Sequence, residues 1–299
     1  MANVSPPPDQ KKALFYGLAT VAMWSTVATA FKLGLARLSV GQLLFYASLT
    51  SCLVLGGVLA ARGELARLTG LSRRQWLRAV AFGVMNPFLY YTILFAAYAR
   101  LPAQEAQAIN YTWAISLSLL AVPLLGERLT LRDILAIAIS YAGVVIIATR
   151  GDVLGLHFAS VSGVALALGS TIIWALSWIL GAKDDRDPVA GLCANFLCSL
   201  PFSFAAMLAA GDARPLTPAG LGAAAYVGVF EMGLAFVAWL AALRRAKNAS
   251  RVANLVFLSP PVSLLFIHWI VGEAIAPATI VGLACILSGL ALQRLQKSS

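Results

Sequence analysis

Residues 110–143 read NYTWAISLSLLAVPLLGERLTLRDILAIAISYAG: an apolar run, a polar break at Gly126-Glu127-Arg128, then a second apolar run. The same layout returns at an offset of 146 residues, where Gly126 and Glu127 pair with Gly272 and Glu273. Ile134, Ala138 and Gly143 pair with Ile280, Ala284 and Gly289 at the same offset, without a gap. Identity elsewhere in the window is poor, so hydropathy and the Gly-Glu marker carry the repeat. The chain reads as a duplicated membrane unit.

Composition agrees. The 299 residues are 60% hydrophobic and 11% charged, with mean hydropathy +0.84. Soluble domains carry about 25% charged residues, so there is too little polar surface here for a water-facing globule. Lipid is the solvent for most side chains. The net charge of +10 does not indicate nucleic acid, because the basic residues lie between apolar runs rather than along one face. Cys52, Cys193, Cys198 and Cys285 all fall inside apolar runs, lack metal-ligand spacing and read as small fillers.

A helix crosses the hydrocarbon layer in about 20 apolar residues. That rule predicts ten spans: 13–33, 40–61, 76–98, 103–124, 131–149, 158–180, 188–209, 218–243, 250–270 and 277–293. Residues 1–12 form a polar, proline-rich tail, and the first span is read as retained because no small-residue cleavage site follows it. Ser39 with Gln42 and Ser72 with Gln75 have capping-box spacing, and Thr130 with Asp133 is a near variant. Asp187-Pro188 and Thr217-Pro218 place a capping side chain before a proline suited to the first helical turn. With both termini in the cytoplasm, seventeen Lys and Arg lie inside and five outside, a strong positive-inside bias.

The expected fold is therefore an all-α integral membrane protein with ten transmembrane helices in two inverted five-helix repeats, residues 13–150 and 151–299. An odd number of spans per repeat makes the copies enter the membrane in opposite senses. Many secondary transporters build a midplane site from such halves.

Charge inside a span costs about 2.5–3.5 kcal/mol at the helix centre and tends to be functional. Only Glu231 sits squarely mid-span; it is open to reading as a substrate contact, a proton site, a counter-ion or a protonated structural group. Glu127 and Glu273 lie at span ends beside glycines and read as helix-turn structure, and Glu105 lies near a span end within reach of water. Trp24, Trp113, Tyr90 and Tyr111 fall near span centres, deeper than interfacial aromatic belts reach. Trp174 is intermediate in depth. Trp76, Trp239 and Trp269 lie towards span ends, as belt residues do, and Trp178 leans towards the cytoplasmic interface. Helical spacing puts Asn110 with Trp113 on one face and Asn86 with Tyr90 on another, with Tyr111 turned away from Asn110. Two amide–aromatic faces at matching depth suggest a largely apolar cavity with a few placed hydrogen-bonding groups, or else amides that glue helices together. Pro87 after Asn86 frees a backbone carbonyl near the middle of the third span.

The sequence holds no Gly-rich phosphate loop, no HExxH and no nucleophile elbow, so neither ATP-driven work nor intramembrane hydrolysis is expected. No metal or other cofactor is expected either.

On the segments MWSTVATAFKLG, LLGERLTLRDILAIAISYAGVVI and IVGEAIAPATIVGLACILSGLAL, together with the ten spans, the chain resembles the EamA family of the drug/metabolite transporter superfamily. Within it, the mid-span NPFLYY and the NYTWAISLSLLAVPLLGE segment are most similar to the aromatic amino-acid exporters of the bacterial inner membrane. The resemblance covers essentially the whole chain. It implies a basket-like bundle with a central cavity lined by spans 1, 3, 4, 6, 8 and 9, and export of aromatic and other neutral amino acids and their analogues by alternating access. Its implied setting is the inner membrane, both ends cytoplasmic, working as a monomer with small amino acids as partners and no nucleic acid. Trp24, Asn86, Tyr90, Asn110, Tyr111, Trp113, Trp174 and Glu231 are the expected substrate contacts. Trp113 aligns with Ser259 in the second copy, and Ala114-Ile115 with Pro260-Pro261, so the expected pocket is asymmetric. The competing expectation is efflux of lipophilic cations, with Glu231 as counter-ion or proton site.

Overall fold

In the computed structural model, which describes residues 9–126, 130–155, 160–181, 184–247, 252 and 254–297, every regular element is a helix. Eight helices are long and apolar enough to cross a membrane: Gln10–Leu35, Val40–Ala61, Arg73–Arg100, Ala103–Leu125, Leu131–Ala148, Val161–Gly181, Pro188–Ala209 and Pro218–Arg245. Two shorter apolar helices, Leu255–Val271 and Pro277–Leu292, occupy the positions of the last two expected spans. The architecture is all-α. Glu127 and His157 lie outside the described residues.

The expected starts are built as the spacing implies. Ser39 and Gln42 form a reciprocal capping box ahead of Val40–Ala61 (α2), and Thr130 with Asp133 does the same for Leu131–Ala148 (α8). Ser72 and Gln75 exchange the same pair of bonds. Asp187 accepts from the Val189 and Ala190 N–H groups at the start of Pro188–Ala209 (α10), and Thr217 accepts from Gly220 N–H at the start of Pro218–Tyr226 (α11). Each cap satisfies donors that a helix start leaves orphaned. Asp187 also takes the Arg67 guanidinium at 2.7 Å.

Four spans depart from regular α geometry, and they are the third and fourth of each sequence half. The third runs as Arg73–Gly83 (α4), a wide π turn over Val84–Leu89, then Tyr90–Arg100 (α5). Its break sits at Asn86, with φ −150° and ψ 112°, before a cis Asn86-Pro87 bond. Extended geometry is what the ring of a following proline imposes. The fourth span divides into Ala103–Asn110 (α6) and Trp113–Leu125 (α7), with a turn at Tyr111-Thr112. In the eighth, a π segment over Val227–Leu234 joins α11 to Ala235–Arg245 (α12). A π turn misaligns carbonyls with their usual donors, and the Ser51 hydroxyl donates to the Met232 carbonyl oxygen at 2.9 Å. The ninth starts with a 3₁₀ turn at Asn254–Leu258, continues as Ser259–Phe266 (α13), and widens again at Ile267–Val271.

The chain packs as two compact units. One comprises Met1–Gly83 with Arg186–Phe266, the other Val84–Asp185 with Ile267–Ser299. Each draws helices from both sequence repeats, so packing follows a different division from sequence similarity. In the first unit, Gln10–Leu35 (α1) lies against α12, and α2 against α10, where Phe45 and Phe204 rings are 5.3 Å apart. The Gln42 amide pairs with both backbone groups of Arg214, donating at 2.7 Å and accepting at 3.0 Å.

In the second unit, α8 packs along Pro277–Lys297 (α14). A Cβ on Gly143 would collide with the Gly282 carbonyl oxygen, and one on Gly289 with the Ala136 carbonyl and Ser140 hydroxyl oxygens. Residue numbers rise along one helix as they fall along the other, so the two are antiparallel. The repeat offset carries Gly143 onto Gly289 and Ala136 onto Gly282, so the contact maps onto itself with its partners exchanged. Membrane helices gain little from hiding apolar surface from lipid; small residues that let backbones approach supply the packing instead. Gly126 and Gly272, the glycines of the repeated Gly-Glu marker, both take left-handed geometry, with φ 71° and 79°. That region disfavours any residue with a Cβ.

Candidate functional site

Six of the eight expected contact residues belong to the second unit, and five of them turn on one helix, Val161–Gly181 (α9). Ser170, Thr171, Trp174, Ser177 and Trp178 follow helical spacing along α9 and form one polar-aromatic face. From the third span, Asn86 Nδ2 donates to Ser177 Oγ at 3.5 Å, and the Tyr90 ring lies 4.6 Å from Trp174 at 32°. From the fourth, Asn110 Nδ2 donates to Ser170 Oγ at 2.9 Å, and Trp113 stacks on Trp178 at 6.4 Å and 18°. Trp174 and Trp178 meet edge to face at 6.2 Å, which makes the aromatic run continuous. Ser116 and Thr171 close the far end with a 2.7 Å hydroxyl pair.

The hydrogen-bond directions are chemically informative. Ser170 donates its hydroxyl proton to the Ala167 carbonyl at 2.6 Å, and Ser177 donates to that of Trp174 at 2.7 Å. With those protons spent, each Oγ can only accept, which orients the amides of Asn110 and Asn86 with NH₂ towards α9. Their amide oxygens accept no hydrogen bond among the described residues. Two acceptors beside an aromatic wall suit a group rich in N–H donors.

Spacing anticipated these neighbours by an incomplete route. Asn86 is not helical, and Asn110 and Trp113 lie on opposite sides of the Tyr111-Thr112 turn, so neither pair shares a face of one continuous helix. They converge because both broken spans pack on α9. Tyr111 is half-buried and caps the C-terminal end of α6.

Trp24 and Glu231 belong to the first unit. Trp24 packs on Phe236 at 6.2 Å and Trp239 at 5.5 Å, while Thr26 and Tyr226 share a 2.7 Å hydroxyl bond. Glu231 sits within the π segment and is 8% exposed. Gly228 and Gly233 in the same segment bring it against α2, where a Cβ on Gly228 would collide with the Ala47 carbonyl oxygen.

A profile of the EamA-like transporter family matches residues 11–149 and again 161–294. The chain belongs to that family. Its members are transporters, not enzymes, and this is a multi-pass membrane protein. An "Uncharacterized transporter" of Archaeoglobus fulgidus is 27% identical over 91% of this chain and 94% of its own length. The "Uncharacterized transporter YvbV" of Bacillus subtilis is 25% identical over 95% of this chain and 92% of its own. The "Probable terminal-alkyne amino-acid exporter" of Streptantibioticus cattleyicolor is 26% identical, covering 94% of this chain and 93% of that protein. A solved crystal structure superposes with a TM-score of 0.67 over 96% of this chain and 98% of the other at 21% identity, which speaks to the fold alone.

Two expectations need correction. Trp239 is not a belt residue: it is 7% exposed and packed on Trp24. Trp178, which leaned towards the cytoplasmic interface on depth alone, makes ring contacts with both Trp113 and Trp174, four residues separating it from Trp174 on one helical face. Glu105 does not reach water. It is 4% exposed, and its carboxylate takes the Arg150 guanidinium at 2.9 Å. Ser170, Thr171 and Ser177 were missed as neighbours of the amides, although their spacing from Trp174 was a usable signal. Trp269, 71% exposed, does fit the belt reading.

Proposed function

We propose that this EamA-family transporter exports aromatic and other neutral or hydrophobic amino acids and their analogues by alternating access. The observation that carries the reading is the α9 face, where Tyr90, Trp174, Trp178 and Trp113 form an aromatic run flanked by the amides of Asn86 and Asn110. Aromatic rings take an apolar side chain and attract an ammonium group, and either amide oxygen can accept from an ammonium. The name of the Streptantibioticus relative points to the same class of cargo. Tyr111, in the same unit as α9, is a further proposed contact, and Trp24 and Glu231 are proposed contacts of the first unit. The inner membrane, cytoplasmic termini and a monomeric state belong to the proposal, the orientation resting on the seventeen-to-five split of basic residues. The test is counterflow in proteoliposomes with a panel of labelled amino acids. Exchange of phenylalanine and tryptophan above alanine supports the proposal; no exchange of any amino acid ends it.

The buried carboxylate favours one alternative, efflux of lipophilic cations with Glu231 as counter-ion. Cationic dyes in the same liposomes separate the two. Dye transport without amino-acid counterflow selects the cation reading.

A further inference from the structure

Glu273 was expected to serve its own turn, but its side chain serves another helix. With Gly272 at φ 79° turning the chain, Glu273 Oε1 accepts the Ala103 N–H at 2.8 Å and Oε2 accepts the Gln104 N–H at 3.3 Å. Those are first-turn donors of α6, orphaned by helix geometry, and Pro102 at the cap position offers no side-chain acceptor. A carboxylate there also meets the positive end of the helix dipole. Gln104 returns the contact: its amide donates to the Ala274 carbonyl at 2.8 Å and accepts the Ala276 N–H at 3.0 Å. Four hydrogen bonds thus tie the 273–276 connection to one turn of α6.

The other end of α6 is Asn110, held to Ser170 on α9. Every residue between Ala103 and Ile109 is buried, and three of those residues besides Ala103 and Ile109 are Gln104, Glu105 and Gln107. Ala103, Ala106 and Ala108 carry no branches to interlock with neighbours, so apolar packing fixes the axial register of this helix weakly. Beside the buried Ile109, hydrogen bonds and the Glu105–Arg150 ion pair fix it. From these contacts we infer that Glu273, with Gln104, is a positioning residue: it sets the register of α6 and so the placement of Asn110 and Trp113 against α9. The inference rests on the transport reading for its importance, though its geometry is independent of the cargo.

The test uses the purified full-length protein with 5-fluorotryptophan in place of its seven tryptophans, the Trp113 resonance being assigned by Trp113→Phe. Glu273→Ala should shift that fluorine resonance and raise the half-saturation concentration for L-phenylalanine counterflow about fivefold, as loss of a helix cap would, with little change in maximal rate. Glu273→Gln keeps an oxygen for the Ala103 N–H and should restore both. Gln104→Ala should move the resonance too, and decides the matter if Glu273→Ala does not fold. An unmoved Trp113 resonance in both alanine variants overturns the inference, as does a Gln variant no better than Ala. If the resonance behaves as expected while the wild-type protein counterflows no amino acid, positioning stands and the cargo reading falls.

Discussion

An aromatic wall and a buried carboxylate make different demands on a cargo. Trp113 contributes mostly apolar area to the α9 face, worth about 25 cal/mol per Å² removed from water. A large ring covers more of that wall than a methyl group, so Trp113→Ala should reduce counterflow of phenylalanine and tryptophan more than that of alanine or threonine. Equal loss across all four cargoes in a folded variant would make Trp113 packing alone. Glu231 answers to charge rather than area. It lies at 8% exposure in the π segment. If it contacts the substrate ammonium, Glu231→Gln should weaken binding and counterflow together. A variant with normal affinity that no longer responds to a pH gradient would instead assign it to proton coupling. Mid-span depth is what singles both residues out in the sequence. Trp239 is not singled out this way, since depth alone assigns it to the belt; the partner it packs on, Trp24, is remote in sequence.

Helix starts were read more securely than helix interiors, and the reason is physical. A cap is local: Ser39 with Gln42, Thr130 with Asp133 and Asp187 before Pro188 find their partners within three residues. The π turn at Val227–Leu234 depends on a hydroxyl from another helix, Ser51, which no local pattern announces. Of the broken spans, the third marks its break with Pro87, and Pro260-Pro261 stand where the ninth passes from its 3₁₀ turn into α13. Asp9 offers a measurable cap. The Lys12 N–H and charge hold its carboxyl below the ordinary value of 3.8. A lowered pKa means that its contribution to the first turn of α1 is present above that value and is lost as the pH falls through the lowered one. Protection of the Lys12 amide, measured against its intrinsic exchange rate, should therefore hold at neutral pH and fall only in strong acid; loss of protection already near neutrality would contradict the cap. At the α8–α14 crossing, Gly143→Leu forces apart backbones in direct contact. Overpacking of this kind costs about 1–3 kcal/mol. Unfolding in detergent should show that loss, whereas Gly56→Leu on α2, where a Cβ meets nothing within 4 Å, should leave stability nearly unchanged.

Across the whole molecule, the repeat and the charge distribution make one joint claim about orientation. The antiparallel contact of α8 with α14, in which Gly143 and Gly289 exchange roles at the repeat offset, requires the fifth and tenth spans to cross in opposite directions. Direction within the bundle does not say which side is the cytoplasm. The proposed orientation rests on the basic residues: Arg62 and Arg67 lie in the connection between α2 and α4, Arg73 and Arg74 open α4, and Arg244 and Arg245 close α12 with Lys247 just beyond. Positive residues near span ends stay on the cytoplasmic side. The two clusters belong to opposite sequence halves, yet both should face the cytoplasm, while the connection between α10 and α11 should face outward. Single cysteines at Arg67 and Lys247, in a background lacking the four native thiols, should react with an impermeant reagent only after the cytoplasmic face is opened. A cysteine at Gly211, an open site with no atom near a prospective Cβ, should react in intact cells. Labelling of all three from one side would be incompatible with the inverted arrangement. Labelling with both sides exchanged would keep that arrangement and reverse the orientation, turning the exporter reading into one of uptake for the same face on α9.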